Sequence, residues 1–360
     1  MPYFHQSICI SPQNSFPQTD LSRISESKNN LLKAIEPPYP GIPASVMRRL
    51  GKSVRMALGA ALPILEKFPQ PDGIVIATAN GGMEDCIKFL NQIIEYKEGL
   101  LTPASFVQST SNAAAAQIAL VTKNHNYNIT HVHRGLAFEN ALLDVAMLLK
   151  ENPSAGYLLG CTDEISAYNY NIEGLAGWFR DEPVLNTDLF QVSAKGSLAG
   201  EGAFMVWMNN QREGASAELN AVRTIHSNDP ALVLESLKRF LSENLTLGEM
   251  PDLLLTGENG DERLSPYYDT VESYFSASVP VARFKHLCGE YCTASSFAFW
   301  LSIQIIESGV IPPLLIKKPA PVKSIHRILI YNNYRGTQHA FILISAIKSK
   351  KVKNIKERVN

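Results

Sequence analysis

The chain has 360 residues, 45 % of them hydrophobic and 19 % charged, with a formal net charge of −1. That length suits two domains or one large duplicated α/β domain, and the composition supports a substantial core rather than disorder. The near-neutral balance excludes the strong basic field of a nucleic-acid or anionic-membrane binder. Five scattered cysteines, Cys9, Cys86, Cys161, Cys288 and Cys292, argue against a disulfide framework and for a reducing compartment. Cys288 and Cys292 lack a second pair at ligand spacing, so they read as buried thiols rather than half a metal site. The opening "MPYFHQSICISPQNSF" has no charged region ahead of an apolar run, so no secretory signal is expected. The most apolar helical stretch, residues 293–306, is too short and too polar to span a bilayer. A soluble, cytoplasmic protein is expected.

Residues 1–44 are rich in Pro and Ser, and "EPPYPGIP" marks irregular structure. Helical spacing of apolar residues then predicts a helix over 45–68. "GIVIATA" (73–79) is a continuous apolar run of strand length, as expected for a strand buried on both faces. Helices follow at 83–97 and 112–121, then a strand "NITHV", a helix over 136–150, and strands at 155–160 and 202–208. The second half repeats the rhythm: strand 218–226, helix 230–243, strand 252–256, helices 267–276 and 293–308, and two closing strands, "RILIYNN" and "AFILISAI". Strands alternating with helices favour a mostly parallel sheet covered on both faces, built twice. The expected divisions are an irregular segment 1–44, an N-terminal half 45–212, a C-terminal half 213–347 and a basic tail 348–360. That tail, "KSKKVKNIKERVN", reads as a solvated, frayed end or as a contact for an acidic partner.

Seven stretches in chain order carry a family likeness. They are "PASFVQSTSNAAAAQIAL" (103–120), "THVHRGLAF" (130–138), "LLGCTDE" (158–164), "AGEGAFMVWM" (199–208), "NGDERLSPYYD" (259–269), "KHLCGE" (285–290) and "YRGTQHAFILI" (334–344). Together they resemble the β-ketoacyl-ACP synthases of the thiolase fold over roughly residues 70–345. The fold this resemblance implies is a duplicated αβαβα layering, with two mostly parallel sheets and a central buried helix layer.

The chemistry of that family needs a cysteine thiolate to take the acyl chain, and two histidines to promote decarboxylation and stabilise the enolate. By the resemblance, the nucleophile position falls on Val132, the first histidine on Asp261 and the second on Glu290, while the lysine, Lys285, is retained. No cysteine lies between Cys86 and Cys161, and Cys161 reads as a packed core thiol. Two carboxylates in place of two histidines oppose enolate charge, by on the order of 3 to 4 kcal/mol for each close contact at an effective dielectric of about 20. Lys285 is expected to neutralise both Asp261 and Glu290 in a buried network. Asn259 precedes Asp261 and is expected at the pocket. His131 and His133 flank Val132, and an H-x-H pair on a strand shares one face. They are expected to fill the vacated cavity or to line a subunit contact; with Asp261 and Glu290, a metal site is the less favoured reading. No cofactor or metal is expected.

The resemblance is to the degenerate, chain-length-factor-like members, specifically the ketosynthase-like subunits of aryl-polyene and flexirubin-type clusters. It implies pairing with an intact β-ketoacyl-ACP synthase, docking of acyl carrier protein, and no independent condensing activity. Two other readings stay open: an acyltransferase or hydrolase using Asp261 and Glu290 as an acid/base pair, and a homodimeric carrier-binding module. The strand "NITHV" and the helix carrying Leu136, Ala137, Phe138, Leu142, Leu143 and Met147 hold too much apolar surface for one exposed face, so both are expected at the subunit contact.

Overall fold

A computed structural model describes residues 1–39, 42–79, 81–99, 101, 103–321 and 324–347. The first half runs β1 (Tyr3–Ile10), β2 (Leu31–Leu32), α1 (Ala44–Met47), α2 (Lys52–Lys67), β3 (Gly73–Thr78), α3 (Met83–Glu95), α4 (Pro103–Gln108) and α5 (Ala113–Thr122). It continues through β4 (Tyr127–Val132), α6 (Ala137–Glu151), β5 (Gly156–Asp163), α7 (Ala167–Leu175), β6 (Ala199–Gly200) and β7 (Gly202–Asn209). The second half runs β8 (Ala217–His226), α8 (Pro230–Asn244), β9 (Leu253–Thr256), α9 (Ser265–Glu272), β10 (Val281–Arg283), α10 (Lys285–Cys288) and α11 (Ser295–Ser308). It closes with β11 (Ile316–Lys318), β12 (Arg327–Tyr334) and β13 (Gln338–Ala346).

The strands line up in the order β11-β10-β9-β12-β13-β8-β1-β7-β5-β3-β4. Read outward from the β1/β8 junction, each half repeats one arrangement: β1-β7-β5-β3-β4 on one side and β8-β13-β12-β9-β10 on the other. This is the duplication that the sequence rhythm announces. β1 and β8 meet antiparallel over only two residue pairs, Tyr3↔Glu218 and Phe4↔Ala217.

The layers follow from burial. One core joins side chains from both halves of the sheet to α6 and α11, where Phe138 and Phe299 meet edge-to-face at 5.5 Å. A second core lies under α2 and α5 on the outer face of the first half, and a third under α8 and α9 on the outer face of the second. α11 is buried on nearly every side, which its apolar sequence "SSFAFWLSIQII" requires. The αβαβα layering of the thiolase fold is therefore present, with its helices α6 and α11 in the middle.

Three expectations are corrected. Within the eleven-stranded sheet, parallel pairing is confined to β3–β4, β3–β5, β9–β10 and β9–β12, and the other neighbours are antiparallel; the separate two-stranded pair β2–β6 is parallel. Only strands linked through a crossover helix can run parallel, whereas β12 and β13 are joined by a tight turn and must reverse. Secondly, the stretch 1–44 is not irregular throughout. Its first residues form β1, which sits in mid-sheet beside β7 and β8. The half-polar "YFHQSICI" hides the strand, because part of one face is left partly open. Thirdly, the single helix expected over 45–68 is two, α1 and α2, broken before Lys52. Gly51 stands at the break, where a Cβ would lie 1.9 Å from Asp85 Oδ2. The basic tail 348–360 lies outside the described residues.

Candidate functional site

A pocket opens where the carboxyl ends of β5, β9 and β12 converge. β5 ends in Asp163 and is followed by Glu164 and Ile165; α7 adds Asn169 and Glu173, and the turn after it Trp178 and Phe179. The loop after β9 brings Asn259, the segment after α10 brings Glu290, Tyr291 and Cys292, and the β12–β13 turn brings Tyr334 and Arg335. The enclosed cavity is small, about 50 Å³.

Asn259 joins two of the sequence-predicted positions. Its Nδ2 donates to Glu290 Oε2 at 2.6 Å, and its Oδ1 accepts from the Asp261 backbone N–H at 3.1 Å. Lys285, fully buried, donates to Glu290 Oε2 at 2.6 Å and weakly to the Asn333 carbonyl at 3.5 Å. Glu290 Oε1 is buried and has no hydrogen-bond partner among the described residues. The expectation that Lys285 neutralises both carboxylates holds for Glu290 alone. Asp261 turns away to cap the one-turn helix Glu262–Leu264, accepting from the Arg263 N–H at 3.0 Å, and the Arg263 guanidinium grips both its oxygens. An Arg two residues on, with five donors in a fixed fork, outcompetes a lysine on another element. Asp261 does not line the pocket, so Asp261 and Glu290 do not form the acid/base pair considered from sequence.

The backbone that presents Glu290 is constrained. Gly289 adopts φ +76°, and a Cβ there would lie 2.6 Å from Gly200 Cα. The reverse contact is tighter still, with a Cβ on Gly200 falling 1.9 Å from the Cys288 carbonyl oxygen. The "AGEGA" and "KHLCGE" stretches thus cross at two glycines, and the Gly200 N–H donates to the Glu290 carbonyl at 3.0 Å. Next to Gly200, fully buried Glu201 collects the Ala34 and Ile165 N–H groups and the Lys52 ammonium, tying the N-terminal segment and α2 to the pocket floor.

The Val132 loop is elsewhere. Val132 is 50 % exposed at the end of β4, the last strand of the sheet, and does not line the pocket. His131 Nε2 lies 3.0 Å from Asp144 Oδ2 on α6, and His133 is exposed ahead of a single 3-10 turn. Neither histidine fills the pocket, and the two share no ligand set with Asp261 or Glu290. Among the described residues no group of three or more His, Cys, Asp or Glu is placed to hold a metal. The loop reaches the pocket only indirectly. Gly135 packs so closely on Tyr334 that a Cβ would sit 2.2 Å from it, and its N–H donates to Gln338 Oε1 at 3.0 Å.

Several pocket residues were not foreseen. Trp178 is clamped between Arg263 and Arg335, whose guanidinium carbons lie 4.4 and 4.6 Å from its ring centre, and Arg335 is paired with Glu173. The Cys292 thiol donates to Tyr334 Oη at 3.3 Å, and burial pushes it up to about 12, so it is a poor nucleophile. Burial also pushes the pocket carboxyl of Glu164 up to about 7, although it accepts the Ser53 and Glu84 N–H groups. Cys161, with no exposed surface and likewise raised to about 12, is the packed thiol expected. Glu164 and Arg335 stand in quoted stretches and Cys292 reads as a buried thiol, but the sequence gives none of the three a role in the pocket, and Trp178 lies where nothing in the spacing marks it.

The other side of the first half is an apolar face. Among the described residues β4 is the last strand of the sheet, with Val132 at its end and Leu120 on α5, which packs on it, half exposed or more; Leu90 and Ile94 of α3 and Phe106 and Val107 of α4, two helices that pack on each other, are exposed as well. α6, expected at the same contact, is instead a core helix: Leu136, Ala137, Phe138 and Leu142 are buried within this chain, leaving Met147 exposed. Its apolar surface is consumed by α11 and the sheet.

Comparison with known proteins bears on the fold. Residues 24–173 match the family model "Beta-ketoacyl synthase, N-terminal domain". No curated protein matches. Among solved structures, a β-ketoacyl synthase from Burkholderia phymatum STM815 superposes with a TM-score of 0.77 at 12 % identity, covering 96 % of this chain and 99 % of that one. AntDE:AntF, a type II polyketide acyl-carrier protein in complex with its ketosynthase, gives 0.76 at 14 % identity, covering 96 % and 99 %. The ketosynthase ApeO in complex with its chain length factor ApeC, from Xenorhabdus doucetiae, gives 0.74 at 12 % identity, covering 96 % and 98 %. The ketosynthase form of the thiolase fold is therefore spanned nearly end to end. No helix among the described residues is long and apolar enough to cross a membrane.

Proposed function

We propose that this ketosynthase-like chain is a catalytically degenerate subunit, of chain-length-factor type, that pairs with an active β-ketoacyl-ACP synthase. The setting would be a cytoplasmic type II polyketide or fatty-acid pathway, with an aryl-polyene-type product as the narrowest reading. The observation that carries it is the state of the pocket. Where the reaction needs a thiolate and two groups able to support an enolate, this pocket holds Glu290 locked to Lys285, and a protonated Cys292. Val132, at the nucleophile position, has no lone pair and lies outside the pocket. The free edge that β4 has among the described residues, with exposed Val132 and Leu120 beside it, gives a partner a strand edge and apolar side chains to cover, and the complex of ApeO with ApeC is a precedent in this fold. Docking of acyl carrier protein is supported in the same way by the AntDE:AntF complex.

Two measurements test this. The purified chain, incubated with labelled acyl-ACP or malonyl-ACP, should show no thioester by intact mass; acylation at any cysteine contradicts degeneracy. Co-expression with an intact β-ketoacyl-ACP synthase from the same genome should give a complex on size exclusion, and a chain that stays alone at micromolar concentration contradicts the pairing.

A further inference from the structure

A second cavity, of about 750 Å³, opens at the opposite rim of the sheet from the Asn259–Glu290 pocket. That pocket sits at the carboxyl ends of β5, β9 and β12, whereas this cavity is lined by Pro153, just ahead of β5, and by Lys150, near the carboxyl end of α6. Its floor is β8. The strand lies in mid-sheet, yet it meets β1 over only two residue pairs, the last at Glu218. Beyond Leu219 none of its residues is buried. Val222 packs against the central core and Ala221 against the one under α8, and both α6 and α8 pack on the strand. The groove therefore follows the uncovered edge of β8 between two helices.

The α6 wall is a stripe with one charged end. Leu143, Ala146 and Lys150 stand three and four residues apart, so they lie one above the next on a single helix face. Leu143 and Ala146 are partly exposed and Lys150 is exposed. The stripe is apolar at one end and reaches an ammonium about 10 Å along the helix axis. Lys150 has no ion-pair partner among the described residues. Across the groove α8 supplies Phe240 and Glu243, and β8 supplies Arg223. Glu243 is shared by two guanidiniums, those of Arg223 and Arg239. With Lys150, Arg223 and Arg239 set against one carboxylate, the rim carries an excess of positive charge.

We propose that this groove is a binding site for an apolar chain with an anionic head, the chemistry of a medium-chain fatty acid, with the chain lying along Leu143 and Ala146 against the β8 edge and the carboxylate at Lys150. The volume falls within the roughly 300 to 1,000 Å³ usual for small-molecule sites, which are apolar with a few placed polar groups. The head forms a charge-assisted hydrogen bond with Lys150, and the chain takes Leu143, Ala146 and Val222 out of water. A cationic head meets Lys150 and is repelled. A chain too short to cover the stripe gains only an exposed ion contact, which is worth little. The site needs no partner subunit and lies apart from the Asn259–Glu290 pocket, so it stands or falls separately from the proposed function.

The test is calorimetric titration of the isolated full-length chain with decanoate below its micellar concentration, beside butyrate and decyltrimethylammonium. Decanoate should bind at one site with a negative heat-capacity change, and the other two should not bind measurably. Ala146→Trp, which fills the groove, should abolish binding. Lys150→Glu should weaken it by about tenfold, and Lys150→Arg should retain it. A diazirine-bearing decanoate, cross-linked and mapped by peptide mass, should label residues 143–150 or 219–223. The proposal is overturned if decanoate does not bind, if the three ligands bind alike, if Lys150→Glu binds as well as the natural chain, or if the label falls on the peptides carrying Asn259 and Glu290. If Ala146→Trp does not fold, the Lys150 variants and the cross-link decide the question.

Discussion

Lys285 Nζ lies 2.6 Å from Glu290 Oε2, with the lysine side chain fully buried and the glutamate 13 % exposed. A pair this deep is worth little over an apolar replacement, but breaking it on one side is expensive. Lys285→Met should therefore destabilise the fold by about 3 to 5 kcal/mol, because Glu290 is left without its cation. The double variant Lys285→Met/Glu290→Gln should recover most of that loss. Urea unfolding of the two variants measures the difference, and equal losses would show that the pair is not the cause.

Glu139 gives stability a pH dependence of definite sign. Its carboxyl is raised from 4.5 to about 7 by burial, so the unfolded chain releases this proton first. The contribution is intact below the unfolded value and disappears as pH rises through about 7, a loss of about 3 kcal/mol. Glu139→Gln should remove that slope, so its advantage over the natural chain grows from pH ~5 to pH ~8. Denaturation curves at the two pH values check this; an advantage that shrinks with pH contradicts the sign.

Val132→Cys should not give a condensing enzyme. The new thiol would be half exposed on β4, outside the pocket, with Asp261 committed to Arg263 and Glu290 to Lys285. It should react quickly with maleimide and yield no β-ketoacyl product. Product formation by the single variant would place the reacting centre at β4 after all.

Charge on the β4 edge and truncation of α6 should have separable effects. Val132→Glu puts a carboxylate on an apolar, exposed position and should weaken association with little loss of monomer stability. Phe138→Ala should instead cost about 3 to 5 kcal/mol of folding stability, since Phe138 packs against Phe204 and Phe299 in the central core. Size exclusion with the partner, set beside unfolding curves, tells the two apart.

The architecture was readable because its helices and interior strands are long and periodic. "GIVIAT" and "GAFMVWMN" are buried on both faces, and their sequences say so without help. β1 was not readable, since its alternation is broken by polar residues that stay partly open. Within the site, Asn259, Lys285 and Glu290 come together as the motif order implies. Asp261 does not, because a local partner, Arg263, captures it, and competition between a near and a far cation has no signature in spacing. His131 likewise finds Asp144 on α6, a contact made only by the packing of a helix against the strand before it.

β1 pairs along almost its whole length with β7, Ile10 opposite Ala203 and Tyr3 opposite Asn209. β1 therefore leaves the ribosome some two hundred residues before its neighbour exists, and until then its apolar side chains have no β7 to join. Native packing of the first half cannot finish until that late strand has emerged. A chain interrupted before β7 should be held by chaperones rather than fold as a smaller unit, so truncations for expression should spare the whole of the first half.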